Sequence, residues 1–243
     1  MLHVYSIFKS IQGEVNAWGQ GKIALFIRLA GCNLRCKYCD TVYAITDKAV
    51  KQSNSLNVEQ LISVINKFEE ENGTVKYITI TGGEPLLYKD DLKILIPLLV
   101  QNNKKIVIET NGSFELIDFN CSIRNSISYV VDYKLLSSGE QSKMTEKWFT
   151  QLYSRNDYVK FVIADSKDLE LADSIISKIN QVRKDKNIKQ FTNFAFSPVF
   201  SRDEKLNKES AKLIKYYLDK KGLDYTFNLQ IHKFMQGVLY EDR

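Results

Sequence analysis

The sequence predicts an α/β fold, an incomplete βα barrel with its site at the carboxyl ends of the strands. Short β-rich runs alternate with longer amphipathic ones along the chain, which implies parallel strands joined by right-handed crossovers. Four clear helices accompany about seven strands, fewer than a complete eightfold barrel requires. A cysteine-rich loop follows directly on a strand candidate, where such folds gather their functional residues.

In chain order, the first strand is Ile23 to Leu29, an almost unbroken apolar run. A helix follows over Val58 to Glu71, started by Asn57 with Gln60 three residues on and ended before Gly73, where a left-handed residue is least strained. The strand Val75 to Ile80 leads to the helix Lys89 to Asn102, and strands Lys105 to Glu109, Ser128 to Tyr133 and Tyr158 to Ile163 come next. The helix Lys167 to Arg183, the strand Asn193 to Ser197, the helix Lys208 to Lys221 ending before Gly222, and a last strand Tyr225 to Ile231 complete the pattern. Proline stands only at positions 85, 97 and 198, and no repeat, linker or change of composition divides the chain. Residues 1–243 are therefore expected to form one domain.

At 243 residues and 44% hydrophobic, the chain can bury a sizeable core without staples. Its longest apolar stretches, Ile94 to Val100 and Ile23 to Ala30, fall well short of the roughly 20 residues of a membrane-spanning helix. Residues Met1 to Ser10 carry His3, Ser6 and Lys9 among the apolar positions and lack a secretory pattern, so a cytoplasmic protein without membrane contact is expected. The net charge of +5 is diffuse, densest at Arg183 to Lys189 and Lys215 to Lys221. Both are ends of helix candidates, where cations suit the macrodipole, and read as solvated faces better than as a nucleic-acid footprint.

Three of the four cysteines, Cys32, Cys36 and Cys39, fall within eight residues, and Cys121 stands apart. Three clustered thiols cannot all pair with one another, and disulfides need an oxidising compartment, so metal ligation is the expectation. Three thiolates can hold three irons of a 4Fe-4S cubane and leave the fourth iron open to an outside ligand. The same residues also accommodate a three-cysteine zinc site completed by His3 or His232, or a cluster completed by Cys121. A noncatalytic iron-sulfur or zinc protein that binds RNA is the corresponding alternative function.

The CxxxCxxC spacing with Tyr38 before the last cysteine resembles the cluster loop of the radical S-adenosylmethionine (SAM) enzymes. Thr81-Gly82-Gly83-Glu84-Pro85, after the apolar run Tyr77 to Ile80, is similar to that superfamily's GGEP motif. Within the superfamily the chain resembles the 7-carboxy-7-deazaguanine synthases of queuosine and deazapurine biosynthesis. The residues that carry this are Ile7 to Glu14 (IFKSIQGE), Phe26-Ile27-Arg28, Ala30-Gly31-Cys32, Cys39-Asp40-Thr41, Ile108 to Gly112 (IETNG), Val131 to Lys134 (VDYK) with Ser137-Ser138-Gly139, and Leu229 to Phe234 (LQIHKF). A glycyl-radical-enzyme activase shares the cysteine spacing, but the SIQGE element argues against it.

The resemblance implies an incomplete βα barrel of the radical SAM type. Cys32, Cys36 and Cys39 would hold a 4Fe-4S cluster that cleaves SAM to start the ring contraction of 6-carboxy-5,6,7,8-tetrahydropterin, with release of ammonia. The pterin would meet Ile11, Gln12, Gly13, Glu14, Arg28, Thr81, Glu109 and His232. Carboxylates such as Glu14 and Glu109 suit an aminopyrimidinone edge, and the fixed fork of Arg28 suits a carboxylate. Taken alone, Arg28 reads equally as a structural ion pair, and His232 as a surface residue. SAM would meet Tyr38, Cys39, Asp40, Gly83, Glu84, Asp132, Tyr133 and Lys134. Asp132 stands where many members carry serine. Thr41 would bind Mg²⁺, with substrate oxygens completing the shell. A reductant such as flavodoxin or ferredoxin and a homodimer are implied as well. Cys121 matches no family ligand and reads as a buried small hydrophobe.

Overall fold

The structure, a computed structural model, describes residues 1–152, 156–189, 192–201, 203–221 and 225–234. The elements run β1 (Leu2–Ile11), β2 (Ile23–Leu29), α1 (Asp47–Gln52), β3 (Asn54–Leu56), α2 (Val58–Asn72), β4 (Tyr77–Gly82), α3 (Lys89–Gln101), β5 (Lys105–Thr110), α4 (Cys121–Arg124), β6 (Ile127–Asp132), β7 (Tyr158–Ile163), α5 (Ser166–Asp185), β8 (Asn193–Pro198), α6 (Glu204–Lys221), β9 (Thr226–Phe227) and α7 (Ile231–Phe234). They build one sheet in the order β3-β1-β2-β4-β5-β6-β7-β8-β9. From β2 to β9 every neighbour is parallel, and β1 is antiparallel to both β2 and β3. Among the described residues the sheet stays open between β3 and β9, as an incomplete barrel does.

Alternation along the parallel strands sorts side chains onto two faces. Leu25, Ile27 and Leu29 of β2, Ile78 and Ile80 of β4, Ile106 and Ile108 of β5, Tyr129 and Val131 of β6, and Val159, Phe161 and Ile163 of β7 pack beneath the helices in the main core. The interleaved residues Phe26, Arg28, Thr81, Glu109, Val130, Asp132, Lys160 and Val162 face the lumen. Helix α2 starts as its sequence requires. Asn57 accepts from the Gln60 amide at 2.8 Å, and the Gln60 side chain accepts from the Asn57 amide at 2.9 Å, a reciprocal cap.

The chain between β1 and β2 enters the lumen and seals its amino end. Val15 and Trp18 pack on Val107, Val130 and Ala195. The Ala17 amide donates to Ser128 Oγ at 3.1 Å, and Trp18 Nε1 donates to the Ile106 carbonyl at 3.4 Å.

The structure adds the short elements α1, β3, α4 and α7 to the sequence expectations and departs from them elsewhere as well. Strand β1 is absent from the sequence reading, because a register shift between Val4 and Ser6 breaks its alternation. The expected strand Tyr225 to Ile231 shortens to Thr226–Phe227, since Asn228 and Gln230 turn inward onto Glu14. Arg183 is not a solvated cation: it is buried and donates to the carbonyls of Phe149 (2.9 Å) and Leu152 (3.2 Å). Cys121, expected to be buried, is exposed at the start of α4. Gly222, expected to end a helix, lies outside the described residues.

Candidate active site

A cavity of about 770 Å³ occupies the lumen at the carboxyl ends of the strands. The loop after β2 lines it with Cys32, Cys36, Tyr38, Cys39, Asp40 and Thr41, β4 and its turn contribute Thr81, Gly82 and Gly83, and β5 contributes Glu109, Thr110 and Asn111. Asp132, Lys134 and Lys160 line it as well, with the Lys134 ammonium 5.7 Å from the Tyr38 ring of the cysteine loop, and Ile11, Gly13, Glu14 and Arg28 complete it. Fifteen of the residues expected from sequence therefore share one chamber.

Two glycines let the cysteine loop and the GGEP turn lie against each other. Gly83 N donates to the Leu29 carbonyl at 3.0 Å, and Glu84 N to the Gly31 carbonyl at 2.9 Å. A Cβ on Gly83 would stand 1.9 Å from Gly31 O, and one on Gly82, whose φ is 134°, would stand 2.1 Å from Leu29 O. No side chain fits between these backbones.

Burial pushes the Cys32 thiol up, and pushes Cys36 up to about 11, so both are protonated at neutral pH and must lose protons to bind a metal. Among the described residues, no three His, Cys, Asp or Glu side chains converge to hold a single metal ion. The three thiols line one chamber, as three ligands of a single cluster do. His3 does not reach them: its Nδ1 lies 3.2 Å from Ser53 Oγ and its ring faces Tyr88. Cys121 lies outside the cavity lining.

The lumen is strongly charged. Lys160 Nζ lies 2.9 Å from Glu14 Oε1 and 3.0 Å from Asp132 Oδ2, and Lys134 Nζ lies 3.0 Å from the same Asp132 oxygen. Burial would raise the Asp132 carboxyl, but the two ammonium groups outweigh it and hold it down at about 2. Asp132 Oδ1 is buried and has no partner among the described residues, and so is the Tyr38 hydroxyl. Both line the chamber and suit donors or acceptors on a bound molecule. Glu109 accepts from Thr81 Oγ1 at 2.7 Å. Burial, then the negative field of Glu14, push its carboxyl up to about 7. The Arg28 guanidinium lies over the rings of Phe8 (5.5 Å) and Tyr43 (5.8 Å). It makes no salt bridge among the described residues, and its charge acts on the Glu109 carboxyl and lowers it.

Three expected contacts are corrected. Tyr133 packs against Trp148 and Phe161 in the helix-side core, because it shares its parity with Tyr129 and Val131. The Gln12 side chain donates to Thr79 Oγ1 at 3.3 Å and does not line the chamber. Glu84 is fully buried and accepts from Leu86 N (2.9 Å), Thr110 Oγ1 (2.7 Å) and Asn111 N (2.7 Å). Its carboxylate ties the β4 and β5 turns together and does not face the cavity. The side chain of His232 lies outside the described residues.

Sequence reasoning missed Lys160, Asn111, Asn228 and Gln230. Lys160 had a signal: a lone lysine inside the apolar strand YVKFVI, on the lumen parity.

Residues 26–119 match the Radical SAM superfamily. A 7-carboxy-7-deazaguanine synthase of Clostridium acetobutylicum is 37% identical over 228 residues, which cover 94% of this chain and 93% of that protein. The chain belongs to the 7-carboxy-7-deazaguanine synthase family. A synthase of Methanospirillum hungatei is 33% identical, over 96% of this chain and 85% of its own length. The crystal structure of QueE from Escherichia coli shares the fold, with a TM-score of 0.68 at 21% identity over 93% of this chain and 92% of that one. As radical SAM proteins, members of this family work with a 4Fe-4S cluster and SAM. The chamber fits both: three thiols in one loop, and unpartnered buried oxygens on Asp132 and Tyr38 facing the same space.

Proposed function

We propose that the chain is a carbon-nitrogen lyase that converts 6-carboxy-5,6,7,8-tetrahydropterin to 7-carboxy-7-deazaguanine with release of ammonia. The observation that carries this reading is the chamber that joins three cysteines to an ion-lined lumen. Its volume lies in the upper part of the roughly 300–1,000 Å³ range of small-molecule sites, room for a cofactor and a bicyclic substrate together. Cys32, Cys36 and Cys39 would hold the cluster, which would supply the electron for cleavage of SAM.

The chain's own residues bind, orient and shield. Arg28, held over two aromatic rings, receives the pterin carboxylate. Glu109, steadied by Thr81, meets the aminopyrimidinone edge. Glu14 is fixed by Lys160, Gln230 and Asn228 and forms the floor beside Ile11 and Gly13, with Gln12 steadying it from behind. Beside the cysteine loop, Asp132 Oδ1 accepts from a cofactor hydroxyl or amino group while Lys134 and Lys160 hold its other oxygen. Tyr38 lies beside it, under the Lys134 ammonium at 5.7 Å, and Gly83 offers backbone. Asp40 pairs with Lys233 at 3.1 Å and steadies the cysteine loop against α7. The plug of Val15 and Trp18 keeps water from the amino end, as reactive chemistry requires.

Thr41 Oγ1 lies 3.3 Å from the Gly82 carbonyl. It would supply one oxygen to Mg²⁺, whose hard oxygen shell the substrate would have to help complete. The family resemblance supports His232 as a further pterin contact. The family resemblance supports one domain over residues 1–243, a homodimer, a flavodoxin- or ferredoxin-type donor and a cytoplasmic setting. No helix among the described residues is long and apolar enough to cross a membrane.

The test is anaerobic product analysis. Reconstituted, reduced protein given SAM and the carboxytetrahydropterin is expected to yield 7-carboxy-7-deazaguanine by mass spectrometry. SAM cleavage without that product would sink the substrate assignment.

A further inference from the structure

The buried Glu84 carboxylate is spent on the protein itself, and following its bonds leads to the cluster loop. Glu84 Oε2 accepts from the Asn111 amide at 2.7 Å, and Glu84 Oε1 accepts from Thr110 Oγ1 at 2.7 Å, so the turn after β5 is fixed at two successive residues. The Asn111 side chain is fixed in turn. Its Oδ1 accepts from Ser113 N (3.0 Å) and Ser113 Oγ (2.6 Å), which settles which end of the carboxamide is the amine. That amine donates to Asn33 Oδ1 at 3.0 Å and lies 3.7 Å from Cys32 Sγ. The Leu34 amide donates to the same sulfur at 3.4 Å. Asn111 is 7% exposed, so water does not compete for its amine. A carboxamide with every orientation-setting bond made and its remaining N–H aimed at one thiol is a built donor.

We propose that Asn111 is a positioning residue that sets the reduction potential of the cluster through its hydrogen bond to the Cys32 thiolate. The proposal rests on the assignment of Cys32 as a cluster ligand. A donor to a ligating sulfur stabilises the more negative, reduced cluster more than the oxidised one, so the bond raises the potential. Glu84 serves the same end at one remove, by holding the Asn111 backbone.

The test is a redox titration of anaerobically reconstituted holoenzyme, followed by electron paramagnetic resonance of the reduced cluster, for the wild type, Asn111→Ala and Asn111→Asp. Both variants are expected to shift the midpoint negative. At a fixed potential the reduced-to-oxidised ratio should fall severalfold, up to about tenfold, which is about 59 mV for a one-electron couple. Asn111→Asp keeps the shape and loses the donor, so it carries the test if the alanine variant folds poorly. Variants with wild-type iron content and an unmoved midpoint overturn the proposal. So does failure of both variants to take up iron while circular dichroism shows a native fold, because Asn111 would then serve cluster assembly. A wild-type protein without an iron-sulfur spectrum would instead overturn the cysteine assignment itself.

Discussion

At the scale of single residues, the lumen is governed by charges that the strands place by parity. Lys160 is the group on which Glu14 and Asp132 both depend. Lys160→Met leaves two buried carboxylates short of a partner, and removing one member of such a pair costs about 3–5 kcal/mol. Product formation should fall by about 100-fold or more, read in the anaerobic assay, and Lys160→Arg should recover part of it. Glu109 yields a pH prediction. Its carboxyl titrates near about 7 in the folded chain against 4.5 for an ordinary glutamate, so between these values the folded state keeps a proton that the unfolded state releases. Stability must then fall as pH rises through that window. Glu109→Gln should melt higher than wild type at about pH 8, by an equivalent of about 1–3 kcal/mol, and alike near about pH 4. Much of this was legible in the sequence: the three cysteines, Arg28, Thr81 and Glu109 stand where their motifs and strand ends put them. Tyr133 was misassigned because motif adjacency to Asp132 and Lys134 was given more weight than alternation, which turns it into the core. Lys160 was overlooked for the converse reason, because it lies outside any motif although its parity points inward. Glu84 could not be read, since its partners Thr110 and Asn111 are brought to it only by pairing of distant strands.

At the scale of elements, strand and helix limits followed the sequence wherever the periods were regular, and β2 and β7 match their expected limits residue for residue. Besides the short α1, β3 and α4, which the sequence reading lacked, the misses lie at the two chain ends. A register shift hides β1, and the side chains of Asn228 and Gln230 are drawn from the sheet to Glu14, which ends β9 early. Both segments meet at the plug, and the structure gives the plug a cost. Trp18 and Val15 fill space between Val107, Val130 and Ala195, so Trp18→Ala should lower stability by about 2–4 kcal/mol in denaturant unfolding, with a leakier lumen that cleaves SAM without forming product. The GGEP turn is less tolerant. Gly83→Ala forces a methyl into the Gly31 carbonyl, and the variant should fail to take up iron even where it remains folded by circular dichroism.

At the scale of the whole molecule, the open sheet is functional. A closed barrel would have its lumen filled by strand side chains, whereas an opening between β3 and β9 leaves room for the chain after β1 and the turn after β9 to enter and build a floor. The carboxyl ends of the strands then carry three thiols and a charged wall that share a common space. The central claim is that these three thiols hold a cluster with one iron left for SAM, and electron paramagnetic resonance of the reduced, reconstituted protein with and without SAM tests it most directly. The expected result is a reduced-cluster signal whose g values move when SAM is added, alike in wild type and Cys121→Ala. A signal indifferent to SAM, or one altered by the Cys121 substitution, would contradict it.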